Sequence, residues 1–314
     1  MEIEKALRSR GGAARWKELD ALGFSKSALA QAVRTGRLDR VHRGCYALPD
    51  AHRVTVMATV FRAKPTCVSW CELVGLPLER VPTTIHLGVP QSRGIGEPRA
   101  RPIAGVTLHR HGSYGDDFPL AHLDLAALCT TPIAQLALID AALARGLVSP
   151  PELAELQHGE QRRRDWLREH ADARSGSLAE TYARVALAEA GLRVVPQARI
   201  GAIGCVDLLV EGMVAVEVDG YAHHCDRQHF ASDRLRDRDL TLAGLVPLRF
   251  TYHDAVTRTP ELVADVSAAV WRVGAGRADR ASIGDVDPPA RASLATRRTR
   301  MNDASGVSSV QWWR

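Results

Sequence analysis

The sequence predicts an α/β chain in four parts: a small helix-and-hairpin head, an α+β middle region, a C-terminal mixed sheet flanked by helices, and a disordered tail. Three observations predict it. Apolar residues recur at helical spacing over some stretches and alternate over others, and the two patterns intermix along the whole chain. Two short apolar runs, 206–210 and 213–218, are split by Glu211-Gly212, the pattern of a tight hairpin between buried strands. From Gly274 onward the chain is Gly, Ala, Ser, Asp, Arg and Pro without periodicity, a composition that buries too little to fold. The expected boundaries are 1–50, 51–173, 174–272 and 273–314.

The totals narrow the class. At 314 residues the chain holds about two domains' worth of sequence. A hydrophobic share of 46% places it with globular proteins, and a net charge of +5 permits contact with a polyanion. No apolar run is long enough for a membrane span, and the charged start Met1-Glu2-Ile3-Glu4-Lys5 lacks the apolar centre of a signal peptide. The six cysteines include no Cys-x-x-Cys pair, so a reducing, cytoplasmic setting is expected, with Cys67 and Cys71 as small core residues on one helix.

In the head, residues 4–48 read as three short helices and a hairpin. Ser25 or Ser27 caps the stretch that runs to Arg34, and Gly36 ends it. Strands at 38–41 and 45–48 flank Arg43-Gly44. Helix, turn, helix and basic hairpin is the plan of a winged helix-turn-helix, which sets its second helix in a DNA major groove. Lys26, Arg34, Arg37, Arg40, His42 and Arg43 are the candidate phosphate contacts. An ordinary Arg-rich surface, or a winged helix that binds protein, fits the same residues. This head resembles the N-terminal winged-helix domain of AbiEi-type antitoxins, through Gly11-Gly12, the stretch 16–22, Gly23-Phe24-Ser25, Gly36-Arg37-Leu38 and the stretch 43–48. The resemblance covers about fifty residues. It implies a regulatory or partner-binding module, with DNA, a cognate toxin or a second copy as partner.

The middle region is expected to hold helices at 51–63 and 67–74, strands at 84–89 and 105–111, a mobile loop at 91–102, an apolar helix at 132–144 and a polar one from 152 to 173. Its Gln161-Arg162-Arg163-Arg164 run reads as a solvated face, with nucleic-acid contact as the other reading. His86, His109 and His111 lack a matching carboxylate or Cys pattern and read as strand-surface histidines. The stretch resembles the region following the winged helix in the same antitoxin-like families.

In the last structured part, Ser177 caps a helix whose Glu180 completes a capping box. Strands, the hairpin, a polar helix at 226–243, a strand at 245–250 and a helix from Pro260 to about Trp271 follow. Three carboxylates sit where buried strands seldom carry them. Glu217 and Asp219 project to one side of their strand, and Asp207 lies across the ladder. Such a group repels itself unless a cation lies among it, and hard divalent ions take oxygen ligands of this kind.

The order and the carboxylates resemble the restriction-endonuclease-like (PD-(D/E)XK) fold, and within it the uncharacterised domains akin to very-short-patch-repair (Vsr) endonucleases. The likeness runs over 176–272. It is carried by Glu180 in Ser-Leu-Ala-Glu, Gly191-Leu192, Asp207, the stretch 217–224, the stretch 230–237 and the stretch 244–250. It implies Mg²⁺- or Mn²⁺-dependent hydrolysis of a phosphodiester in DNA, with RNA as the other possible substrate. Asp207 and Glu217 are then metal ligands, with Asp219 as a further ligand or water acceptor. Glu180 is a helix carboxylate joining the site, or only the capping box. His223 or His224 is the general base, or a surface residue.

The sequence departs from the general nuclease signature at one point. Asp219 stands where that signature has Lys, and all the lysines, Lys5, Lys17, Lys26 and Lys64, lie in the first quarter of the chain. Arg236 and Arg249 are the candidate replacements for its charge. Asp233 is a weaker site candidate, and Asp233, Arg236 and Asp237 equally make an ion-pair network along one helix. The alternative to an enzyme is a DNA-binding antitoxin or repressor with a silent nuclease-like domain.

Overall fold

The computed structural model describes residues 2–90, 105–111, 118–219 and 227–282, and every structural statement refers to these. It is a mixed α/β chain with three separate small sheets. Residues Met1–Trp271 form one compact unit; Arg272–Arg314 form a second, described only over the end of one helix.

The head is built from α1 (Ile3–Arg8), β1 (Ala13–Arg15), α2 (Trp16–Asp20), α3 (Lys26–Arg34), β2 (Asp39–His42) and β3 (Cys45–Ala47). Its sheet has the order β1-β3-β2, antiparallel throughout. β1 is the strand that periodicity missed, because three residues are too few to show alternation. Ser25 caps α3, its hydroxyl accepting from the Ala28 N–H at 3.2 Å. Leu7, Leu19, Leu29 and Leu38 are fully buried together, and each contributes about 1.5–3 kcal/mol.

The middle region holds α4 (Arg53–Phe61), β4 (Lys64–Pro65), α5 (Cys67–Leu73), β5 (Ile85–Pro90), β6 (Val106–His111), α6 (Pro119–Leu125), α7 (Pro132–Ala144) and α8 (Gln161–His170). β5 runs antiparallel to β4 and parallel to β6. Thr131 caps α7 and Pro132 occupies its first turn, so this helix begins and ends where expected. The single helix expected over 152–173 is instead a 3-10 turn, Pro150–Glu155, and then α8. The Asp124 carboxylate causes the break. It accepts from the N–H groups of Gln157 and His158 at 3.0 and 2.9 Å, so these cannot enter a helical ladder, and Gly159 follows at φ +80°. The arginine run on α8 is only partly a solvated face. Arg163 donates to Gln135 Oε1 and to the carbonyls of Ala127 and Thr130, clamping α8 to α7 and its preceding turn.

The last part contains α9 (Leu178–Glu189), β7 (Val194–Ile200), β8 (Gly204–Val210), β9 (Val214–Asp219), α10 (Arg227–Leu242), β10 (Val246–Thr251), α11 (Tyr252–Thr257) and α12 (Thr259–Ser282). The sheet order is β10-β9-β8-β7, with β10 parallel to β9 and the other pairs antiparallel. Glu211 (φ +51°) and Gly212 (φ +65°) make the tight turn, and Met213 N–H donates to the Val210 carbonyl at 2.9 Å. β9 is buried on both faces. Val214, Val216 and Val218 pack with α9, α11 and α12, whereas Ala215 packs with Leu240 of α10. This sandwiching explains why β9 reads as a continuous apolar run. α12 continues to Ser282, past the end expected near Trp271. The rest of the expected tail lies outside the described residues. No described helix is long and apolar enough to cross a membrane.

Candidate functional site

The β8–β9 ladder pairs Leu208 with Val216, Leu209 with Ala215 and Val210 with Val214. Beyond the last of these pairs the Asp207 carboxylate reaches across to β9, its Oδ2 accepting from the Val218 N–H at 2.9 Å. Strand alternation puts Glu217 and Asp219 on the face covered by α10. Parallel pairing with β10 then sets Arg249 beside Glu217 and Thr251 beside Asp219.

Glu180 joins this group from the first turn of α9. The Ser177 hydroxyl does cap the helix, accepting from the Glu180 N–H at 3.2 Å, but the reciprocal half of the expected capping box is absent. Glu180 Oε2 instead accepts from the Gly176 N–H at 2.8 Å and from Gln197 Nε2 at 2.9 Å. Gln197 Nε2 also reaches Asp207 Oδ1 at 3.4 Å and so bridges the two carboxylates. Sequence reasoning missed Gln197. It lies on β7, between residues paired with Val206 and Leu208, at φ +49°, a conformation seldom adopted by residues other than glycine. Its placement opposite Asp207 was the available signal. A Cβ at Gly176 would lie 3.0 Å from Glu180 Oε1, so the carboxylate would have to shift by a few tenths of an ångström to admit one.

Burial and mutual repulsion act on these acids. Glu180 is 6% exposed, and its carboxyl is raised by desolvation and then by the Asp207 charge. Glu217 is 7% exposed and is pushed up to about 7, again by desolvation and then Asp207, with Arg236 opposing. Arg236 Nη2 lies 2.9 Å from Glu217 Oε1, but off the direction that a hydrogen bond needs. Glu217 Oε1 is therefore a buried oxygen held in an ion pair, with no other donor aimed at it among the described residues. Arg236 also donates to the Cys205 carbonyl.

The other candidates divide. Arg249 meets Asp219 at 3.5 Å and Asp237 at 3.2 Å, so Asp237 pairs across to β10. Asp233 lies on α10 among residues whose side chains are not described, and His223 and His224 lie outside the described residues, as does the loop expected at 91–102. A groove of about 890 Å³ lies elsewhere, lined by Pro132, Ile133, Trp166 and Glu189 among others.

Asp207 and Glu217 carry the oxygen type that an Mg²⁺-type ion takes, but among the described residues no third carboxylate joins them within reach of one ion, and Glu217 Oε1 is paired with Arg236.

In the head, Lys26, Arg34, Arg37, Arg40 and Arg43 are all exposed on α3 and on the turns and strands after it. Arg37 is tied to Glu4 at 2.9 Å, and Lys26 lies over the Trp16 ring at 5.4 Å. His42 is not a surface contact, as both of its ring nitrogens are buried without a partner. No curated protein matches the chain. Residues 1–49, which hold this whole winged-helix head, match the family model described as "Transcriptional regulator, AbiEi antitoxin".

Proposed function

We propose that the chain is a cytoplasmic DNA-binding protein in which the winged-helix head engages duplex DNA and the 176–272 region, Vsr-like in its order of elements, is a metal-dependent endonuclease. One observation carries the nuclease reading. The Asp207 charge acts on both Glu180, from one helix, and Glu217, from the neighbouring strand, and both of those buried carboxyls are raised. Asp207 and Glu217 would hold Mg²⁺ or Mn²⁺, with Asp219 as a further ligand. When bound, such an ion polarises the phosphoryl oxygen and lowers the pKa of an attacking water.

The chain's own residues supply the rest. Gln197 holds Glu180 and Asp207 in register with one another. Arg249, beside Asp219, brings positive charge to the position where the nuclease signature has Lys. Arginine stabilises charge there but accepts no proton. The resemblance would give the part of general base to His223 or His224, which lie outside the described residues.

The test incubates plasmid, linear duplex, mismatched duplex and RNA with the protein, Asp207→Ala and Glu217→Ala, with Mg²⁺, Mn²⁺ or chelator. Metal-dependent cleavage by the wild type that both variants lose supports the enzyme, and the RNA arm decides the substrate. Equal cleavage by all three proteins sinks it.

A second reading, a regulator or antitoxin with a silent nuclease-like domain, is favoured by the head's family match and by the ion pairs that already engage Glu217 and Asp219. It expects operator-type DNA binding that survives Asp207→Ala. Arg34→Ala and Arg40→Ala should each weaken that binding, and each phosphate contact removed should reduce the salt slope by about one. A cognate toxin that co-purifies with the chain would also count for it.

A further inference from the structure

A second group of ligand-bearing side chains lies in the middle region, distant in sequence from the carboxylates. Cys67, His86, His109 and Cys129 each offer one ligand atom, and the four atoms lie within 4.8 Å of one another. Their sequence spacing conceals the group. Cys67 starts α5, His86 is on β5, His109 is on β6, and Cys129 ends the 3-10 turn Ala126–Leu128. Parallel pairing of His86 with Thr107 puts His86 and His109 on the same face of the sheet.

The separations suit one ion. A tetrahedral zinc with Zn–N of about 2.0 Å and Zn–S of about 2.3 Å holds its ligand atoms about 3.3–3.8 Å apart. His86 Nδ1 lies 3.0 Å from His109 Nε2, and His109 Nε2 lies 3.6 Å from Cys129 Sγ. Cys67 and Cys129 are within hydrogen-bonding distance. Cys67, His86 and His109 are buried, and Cys129 is exposed.

Supporting contacts also match a metal site. The far nitrogen of His86, Nε2, meets the Thr84 hydroxyl at 3.3 Å, and that hydroxyl meets Thr107 Oγ1 at 2.7 Å, an arrangement that fixes the ring with Nδ1 turned inward. The Ser69 hydroxyl accepts from the His86 N–H at 2.9 Å, which ties β5 to α5. Cys67 is held at φ +52°, a cost for a residue with a side chain and one that persists where the surroundings fix it.

We propose that Cys67, His86, His109 and Cys129 form a structural zinc site that joins β5 and β6 to the start of α5 and the end of the 3-10 turn. Two thiolates and two imidazoles select zinc over Mg²⁺ or Ca²⁺, which take oxygen. Four protein ligands fill a tetrahedral ion completely, so the site is closed and contributes folding energy without catalysing a reaction.

The test uses the full chain, purified in reducing buffer without chelator, with metal content measured by mass spectrometry. About one zinc per chain is expected. Replacing zinc with cobalt should give the intense visible bands of a tetrahedral ion and a thiolate-to-cobalt charge-transfer band. Cys129→Ser, at the exposed ligand, and His109→Ala should lose both signals, whereas Glu217→Ala should keep them and so separate this site from the carboxylates. The cobalt spectrum of the wild type stands even where a variant fails to fold. Reduced wild-type protein that retains no zinc after reconstitution and desalting would overturn the assignment. So would a cobalt spectrum without a thiolate band, or a Cys67–Cys129 disulfide in freshly isolated protein.

Discussion

Asp140 and Glu217 are both buried carboxylates with an arginine at hydrogen-bonding range, and both carboxyls are raised by desolvation. Their surroundings differ in how completely the oxygens are served. Asp140, on α7 and 1% exposed, accepts from the Asp172 N–H, the Thr181 hydroxyl and Arg184 Nη2, each at 2.8 Å. Two of these donors come from α9, so the pair locks α7 to α9. Glu217 has an arginine at 2.9 Å, another carboxylate across the ladder and no donor directed at Oε1. The first is a completed structural pair. The second is a buried ion pair beside a like charge, with its carboxyl raised to about 7.

The contrast can be broken by mutation, beginning with the largest effect. Asp140→Ala strands Arg184, which is nearly buried, and should cost about 3–5 kcal/mol in urea unfolding. A loss below about 1 kcal/mol would show that Asp140 is no better satisfied than a surface pair. Next, Mg²⁺ at a hundred times its dissociation constant should stabilise the protein by about 2.7 kcal/mol. Asp207→Ala and Glu217→Ala should abolish that gain. An unchanged melting temperature across a magnesium titration would remove the metal from the carboxylate site.

The third effect depends on pH. Glu217 moves from 4.5 to about 7 on folding, so the folded chain holds this proton more tightly than the unfolded chain. Its contribution therefore falls as pH rises from 4.5 through 7, and stays lost above. In chelator, Glu217→Gln should be no less stable than the wild type at pH 8, and the difference between them should shrink towards pH 4.5. Denaturant midpoints across that range provide the check, and a parallel offset at all pH values would contradict it. The smallest effect belongs to Asp219→Asn. Its pair with Arg249 is 3.5 Å long and partly exposed, so a stability change below about 1 kcal/mol is expected by thermal melting.

Much of the carboxylate site was legible in the sequence because its parts are local. Strand alternation puts Glu217 and Asp219 on one face, and the Glu211-Gly212 turn brings β8 back beside β9, where Asp207 reaches the Val218 N–H. Gln197, Arg236 and Arg249 are another matter. Each reaches the acids from a different element, and which side it takes depends on strand order and on how α10 lies over the sheet. The Cys67–Cys129 group shows the same limit more sharply, since its histidines had the appearance of ordinary strand residues.

The sequence by itself determined the local pieces of this protein. Ser25, Thr131 and Ser177 start helices by meeting free N–H groups, Pro132 and the apolar run after it make α7, and Glu211-Gly212 makes the hairpin. These depend on neighbours within a few residues. Only the tertiary structure decided that Asp124 would break the helix expected over 152–173, that Glu180 would turn from its cap to Gly176 and Gln197, and that Cys67, His86, His109 and Cys129 would meet. The reason is physical: each of these depends on partners brought close by packing, and no local periodicity in the chain encodes such a meeting.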